Sequence, residues 1–331
     1  MANVQKQFEK FHVTIRVDME TSAPLREKRD ILVEKIRAHL KANKRPVCSQ
    51  YGQGSYSMRT GVVPVDIDYD IDVGLMFPFS EKDHTAKDVR SWVREAVKDH
   101  TDNVDDRGPC LRVGYADGYH VDLVSYARWD DMFGTDTFRL AHKDNGWRRA
   151  DPPLLLSKID SSAARFADLK DSATSTDQFR RCVRCLRRWV DLQYPEEPKH
   201  KPTGLGLVLL CRSHLSPTAT FLGDPDDRAA LESMLTLAGG TFGRIVERKP
   251  APEEEDLFER MDNQQMADFK TRLLTLRDTL KKAGKEPDPT EACTLLADDD
   301  AFGPDFPIPP KEETAARATA PAVVRSSSSG A

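Results

Sequence analysis

Asp70-Ile71-Asp72, preceded by the turn-forming pair Gly54-Ser55, is the part of this chain whose residue types and spacing best suit chemistry. Successive side chains of a β-strand point to opposite faces, so Asp70 and Asp72 would project from one side with Ile71 buried behind them. Two carboxylates so placed offer the hard oxygen donors that magnesium takes, and leave positions open for substrate phosphates. The Gly-Ser turn adds backbone N–H groups and a hydroxyl for those phosphates. Phosphoryl or nucleotidyl transfer is the expected chemistry, with Mg2+ as the cation and Mn2+ as its substitute. The acidic ladder runs Asp66, Asp68, Asp70, Asp72, and Asp68-Tyr69-Asp70 has the same spacing. Asp70 and Asp72 are preferred because Val73-Gly74-Leu75 continues as an apolar strand. A solvated strand face is the alternative, but like charges at alternate positions repel and favour a bound cation.

Positioning these carboxylates takes a strand, and residues 62–79 read as one, with Pro64 near its start and Pro78 at its close. Before it, Ser22 and Pro24 open a helix with Leu32, Val33, Ile36 and Leu40 at helical spacing, a spine over about 24–43. After it, Val89, Trp92, Val93, Ala96 and Val97 mark an amphipathic helix. Residues 111–116 and 119–126 flank Asp117-Gly118, a strong hairpin signal because both residues tolerate positive φ. The second strand carries His120-Val121-Asp122-Leu123. Asp122 would face the Asp70/Asp72 pair if its strand neighbours theirs. His120 shares that face and reads as a packed or hydrogen-bonding residue.

Beyond about residue 150 the pattern turns helical, with helices expected over 154–169, 177–193, 203–214, 227–237 and 256–283. The architecture expected is α+β: a mixed sheet-and-helix lobe over 1–150, a helical lobe over 151–310 closing a cleft, and a disordered Pro/Ala/Ser-rich tail over 311–331. With 49 basic and 54 acidic residues the net charge is −5, which argues against a nucleic-acid binder held by bulk positive charge. Neither a signal peptide nor a membrane span is apparent, so a cytoplasmic location is expected. Six scattered cysteines do not resemble a secreted disulfide framework. Cys182, Cys185, Cys211 and His214 have a spacing that could hold zinc, but pairs sharing a helix face favour plain packing.

The series Gln53-Gly54-Ser55 with Arg59-Thr60, Asp70-Ile71-Asp72-Val73-Gly74, His120-Val121-Asp122-Leu123, Arg187-Arg188-Trp189 and Lys201-Pro202-Thr203 resembles the nucleotidyltransferases of the DNA polymerase beta superfamily. Within it the chain is most similar to the CD-NTases, the bacterial anti-phage relatives of cyclic GMP-AMP synthase and oligoadenylate synthetase. Phe302-Gly303-Pro304-Asp305-Phe306-Pro307 is similar to the close of some members' catalytic region. The resemblance implies a polymerase-beta-like core in which Asp70 and Asp72 ligate two metals and Asp122 holds the one that activates the attacking hydroxyl. It also implies that Gln53, Gly54 and Ser55 serve the donor nucleotide. Arg187 falls where many relatives place a phosphate-binding lysine, Lys201 is a further nucleotide-binding candidate, and Thr203 is either a phosphate ligand or an ordinary N-cap.

The activity so implied is condensation of nucleoside triphosphates, ATP or GTP first among them, into a cyclic di- or trinucleotide second messenger read by a downstream effector. A linear oligoadenylate synthase, an RNA or protein nucleotidyltransferase, and an inactive nucleotide-sensing scaffold remain as alternatives. Some anti-phage operons pair such enzymes with an E1/E2-like ligase acting on the C-terminal residue, here Ala331 after Gly330. A plain flexible remnant is the other reading of that tail. No membrane partner and no nucleic-acid activator are expected.

Overall fold

The computed structural model describes residues 2–18, 22–65, 69–195, 200–250 and 252–310. A mixed sheet of seven strands adjoins a lobe built of helices. β2 (Tyr69–Phe77) and β5 (Tyr119–Asp130) form the parallel centre of the sheet. β1 (Ser49–Gly52) pairs with the free edge of β2. β4 (Leu111–Gly114) and then β6 (Asp136–His142) pair with successive parts of β5, while β3 (Asn103–Asp106) and β7 (Gly146–Ala150) extend the sheet beyond them.

Strand alternation decides which face does the packing. Ile71, Val73, Leu75 and Phe77 of β2, with Val121, Leu123 and Ala127 of β5, are buried in one cluster with apolar residues of α2 (Ala23–Ala42) and α4 (Ala86–Val97). Each such Val, Leu, Ile or Phe side chain contributes about 1.5–3 kcal/mol when fully buried. A period of two then directs Asp70, Asp72, His120 and Asp122 to the other face, away from the helices. α4 starts cleanly because Thr85 and Asp88 form a reciprocal capping box.

The expected strand over 62–79 is shorter than anticipated. Val62 bridges Arg16 and is buried among the helices of the second lobe, so the backbone there pairs with the end of α1 (Gln5–Ile15) rather than with the sheet. Asp66 and Asp68 lie outside the described residues, as does the whole segment 311–331 with Gly330 and Ala331.

The helical lobe comprises α5 (Pro152–Ala164), α6 (Gln178–Gln193), α7 (Gly204–His214), α8 (Asp227–Gly239), α9 (Asn263–Lys285) and α10 (Pro289–Leu296). Asp151, Asp177, Thr203, Asp226, Asp262 and Asp288 each cap one of them through a side-chain oxygen, which sets where each begins. α9 therefore starts after Asp262, not at 256, where Asp256 instead accepts from the Glu247 and Phe258 amides.

α1 also belongs to this lobe rather than to the sheet lobe expected over 1–150. Its Phe8 and Phe11 pack against Phe302 and Phe306 with ring centroids 5.1–5.6 Å apart, tying the two ends of the described chain together. Arg181 is fully buried and donates to both oxygens of the equally buried Asp227 at 2.7 Å. Cys182, Cys185 and Cys211 are buried in the same core, while His214 stands 3.5 Å from Glu247. Among the described residues no helix is long and apolar enough to cross a membrane.

Candidate active site

Sheet register brings the aspartates together. In the parallel pairing of β2 with β5, Asp70 lies opposite His120 and Asp72 opposite Asp122. Asp70 is exposed, Asp72 half-buried and Asp122 only 6% exposed, so the three descend from the cleft surface into the sheet. The Gly-Ser turn, which opens the short helix α3 (Gly54–Ser57), closes over the middle one. A Cβ on Gly54 would stand 1.8 Å from Asp72 Oδ2, and the residue has φ +69, so only glycine fits there. Next to it, the Tyr126 hydroxyl donates to Gln53 Oε1 at 3.1 Å, fixing the residue that enters the turn. Burial, then the neighbouring Asp70 and Asp122, push the Asp72 carboxyl up to about 7, against the pull of Arg112 and Arg187.

A cleft of about 830 Å3 opens in front, with Ser55, Tyr56, Tyr69 and Asp70 on the sheet side and Arg184, Arg187 and Lys201 among its helical-lobe lining. Arg187 therefore lies at the cleft, though it also donates to the Thr60 carbonyl at 2.9 Å. Lys201 lines the cleft with its ammonium 2.5 Å from Asp191. Thr203 does not line it: its hydroxyl accepts from the Gly206 amide at 3.0 Å, the N-cap outcome of the two expected for it.

Arginines on successive turns of α6 share one task. Arg180 donates to the Met58 carbonyl, Arg184 to those of Arg59 and Gly61, and Arg187 to that of Thr60. This comb fastens the segment after Ser55 to the helical lobe, so the Gly54-Ser55 turn is held from both lobes. The carbonyls are acceptors but not anions, and burial together with Arg16 lowers Arg184 to about 10. The charge density of α6 was legible in its sequence; that its arginines grip backbone was not, because the acceptors are loop carbonyls.

His12 of α1 stands behind this comb. Its Nδ1 is 3.4 Å from Arg184 Nη1, which can only donate, so Nδ1 accepts and Nε2–H is left to face the Thr174 hydroxyl at 3.3 Å. Burial first, and then Arg184, push His12 from an ordinary 6.5 down to about 3. The unfolded chain takes up a proton below 6.5 while the native state refuses it until about 3, so this contribution to stability is complete above 6.5 and disappears as pH falls through that window. His12→Gln should therefore flatten the acid side of a melting-temperature profile; equal slopes in variant and parent would refute a penalty for protonating His12.

As donors, Asp70 and Asp72 suit a hard divalent cation, and the raised pKa of Asp72 marks a charge that a cation would stabilise. Asp122 does not join them in this structure. Both of its oxygens accept from Arg112, Nε to Oδ1 and Nη2 to Oδ2, each at 2.7 Å. Among the described residues no group of three or more His, Cys, Asp or Glu side chains is placed to hold a metal, so the expected trio of ligands is not assembled. Arg112 was missed in the sequence, although its place in the strand before the Asp117-Gly118 turn makes it a cross-strand neighbour of Asp122.

Residues 49–126 match the family described as cyclic GMP-AMP synthase DncV-like, nucleotidyltransferase domain. A cyclic GMP-AMP synthase of Escherichia albertii is 26% identical over 198 residues, which is 57% of this chain and 42% of that protein, so the aligned part is less than half of the relative's length. Among solved structures, the Vibrio cholerae DncV cyclic AMP-GMP synthase in complex with the linear intermediate 5′ pppA(3′,5′)pG superposes with a TM-score of 0.74 at 16% identity, covering 91% of this chain and 96% of that one. The same enzyme with nonhydrolysable GTP gives 0.74 at 18% identity over 90% and 96%. Escherichia coli DncV in a 3′-deoxy GTP bound form gives 0.70 at 17% identity over 88% and 93%.

Proposed function

Starting from a DncV-like nucleotidyltransferase domain at residues 49–126, we propose that this chain is an enzyme that condenses nucleoside triphosphates, ATP or GTP first among them, into a cyclic di- or trinucleotide second messenger for anti-phage defence. The observation that carries this reading is the seating of the Gly54 backbone directly on Asp72, with Asp122 in register beside it. A phosphate-holding turn and a stack of carboxylates in contact is the arrangement that lets a chain hold a triphosphate and stabilise charge as its α-phosphate is attacked.

In this reading the Ser55 hydroxyl and the amides of its turn hold the outer phosphates of the donor, and Arg187 screens their charge from the helical side. Asp70 and Asp72 lie below the reacting phosphate and would act on it through a bound cation. Magnesium, or manganese in its place, would be held by these two carboxylates and would neutralise charge on the departing pyrophosphate. A cleft of about 830 Å3 is at the large end for a small-molecule site and has room for an acceptor beside the donor. The linear intermediate held by the similar Vibrio cholerae enzyme fits two successive attacks in one site, the second closing the ring.

The reading is tested by incubating the protein with labelled ATP, GTP, CTP and UTP, treating with phosphatase, and separating what survives. Products resistant to both phosphatase and exonuclease are expected. Phosphatase-sensitive chains would instead identify a linear synthase, and label fixed to RNA or protein a transferase to those acceptors.

A further inference from the structure

One carboxylate of the expected ligand set, Asp122, is held by an arginine. Arg112 and Asp122 face each other directly across the antiparallel pairing of β4 with β5, while Asp72 flanks Asp122 on its other side in the parallel pairing with β2. Asp122 thus lies between an anion and a cation, and both its oxygens are engaged by the cation in a two-pronged contact at 2.7 Å. The side chains of Arg112 and Asp122 are 19% and 9% exposed, so water competes weakly with the pair. Asp70 meanwhile lies open to the cleft.

We propose that Arg112 gates Asp122: it holds both oxygens of that carboxylate, and Asp122 becomes a ligand for a divalent cation only as Arg112 releases at least one of them. Arg112 and the cation supply the same thing, positive charge against Asp122 and Asp72, so they compete for one carboxylate. Cation arrival and opening of the pair are then a single linked event, and the arginine sets the cation affinity of the site. Before that event Arg112 keeps Asp72 and Asp122 from repelling each other across the sheet. Arg112 is a positioning residue in this account and touches no substrate. The inference rests on reading Asp72 and Asp122 as parts of a transfer site.

The test is a titration of the full chain with Mn2+ alone, followed by the loss of the free-ion electron paramagnetic resonance signal. Arg112→Met should bind Mn2+ about tenfold more tightly than the parent, the scale of one charge-assisted hydrogen-bonded contact. Arg112→Lys, which keeps the charge but loses the fork and is the safer variant for folding, should tighten binding by a smaller factor. Adding Asp122→Asn to Arg112→Met should remove the gain. A purely structural salt bridge predicts the reverse sign, weaker binding as the sheet loosens. If Asp72→Asn leaves Mn2+ binding unchanged, the transfer-site reading itself is overturned. If Asp72→Asn weakens binding but neither Arg112 variant tightens it, or if the gain survives Asp122→Asn, the gating role is overturned and the site reading stands.

Discussion

Gly54→Ala is expected to lower product formation by about a hundredfold or more, the loss that follows when reacting groups are displaced by an ångström, while the protein stays folded. The added methyl would sit 1.8 Å from Oδ2 and 2.6 Å from Cγ of Asp72, far inside contact distance, on a backbone at φ +69. The left-handed conformation itself costs a non-glycine residue about 1–2 kcal/mol, which a chain of this size tolerates. Relief of the overlap is the larger matter. Either the turn lifts away from β2, carrying Ser55 with it, or the Asp72 carboxylate swings aside, and both outcomes separate the Gly54-Ser55 turn from the acidic strand. Turnover measured beside a thermal melt separates the two effects. Full activity in Gly54→Ala would show that the close seating of the turn on Asp72 is dispensable.

Asp72→Asn should abolish product formation, by about 10²–10³-fold or more on the scale of lost electrostatic groups in active sites, and yet make the cation-free protein more stable at pH 8. The stability half follows from the direction of the shift. Burial and the adjacent Asp70 and Asp122 raise the Asp72 carboxyl from an ordinary 3.8 to about 7, so between those values the native state holds a proton that the unfolded chain has released. Its contribution therefore becomes less favourable as pH climbs through that window, and above it the native state carries a crowded anion. Asparagine removes the charge and keeps the shape. Melting temperatures at pH 5 and pH 8 check the sign: the gain from the substitution should be larger at pH 8. A variant that is inactive and also less stable at pH 8 would mean that Asp72 is a structural hydrogen-bond partner rather than a strained functional anion.

Much of this site was legible in the sequence because strand alternation is a local rule. Asp70 and Asp72 fall on one face and Ile71 and Val73 on the other as the period of two requires, and the Asp117-Gly118 turn delivered Asp122 on the neighbouring strand. What the alternation could not supply was register between distant strands, so the pairing of Asp72 with Asp122 had to be seen. Arg112 is a different case: the Asp117-Gly118 hairpin carries it opposite Asp122, so counting back from that turn could have found it. α1 carries Phe8, Phe11 and Ile15 at helical spacing and was detectable, but its membership of the helical lobe depends on Phe302 and Phe306 at the other end of the described chain. Residues 62 and 63 read as strand by composition, yet Val62 is drawn into the helical core and the Val63 amide donates to the Ile15 carbonyl at 2.8 Å. Apolar β-branched residues next to a strand are ambiguous in this way whenever another core lies within reach.

The most direct measurement of the central claim counts pyrophosphate against nucleotide. Ring closure by successive nucleotidyl transfers releases one pyrophosphate for every nucleotide incorporated, because each donor loses its outer phosphates and no 5′-triphosphate survives; a linear product releases one fewer and keeps that end. Wild-type protein with mixed nucleoside triphosphates should give equal amounts of pyrophosphate and incorporated nucleotide, and Asp70→Asn or Asp72→Asn should give neither. A wild-type protein that releases no pyrophosphate, or one whose output is the same with Asp70 and Asp72 replaced, would contradict the account.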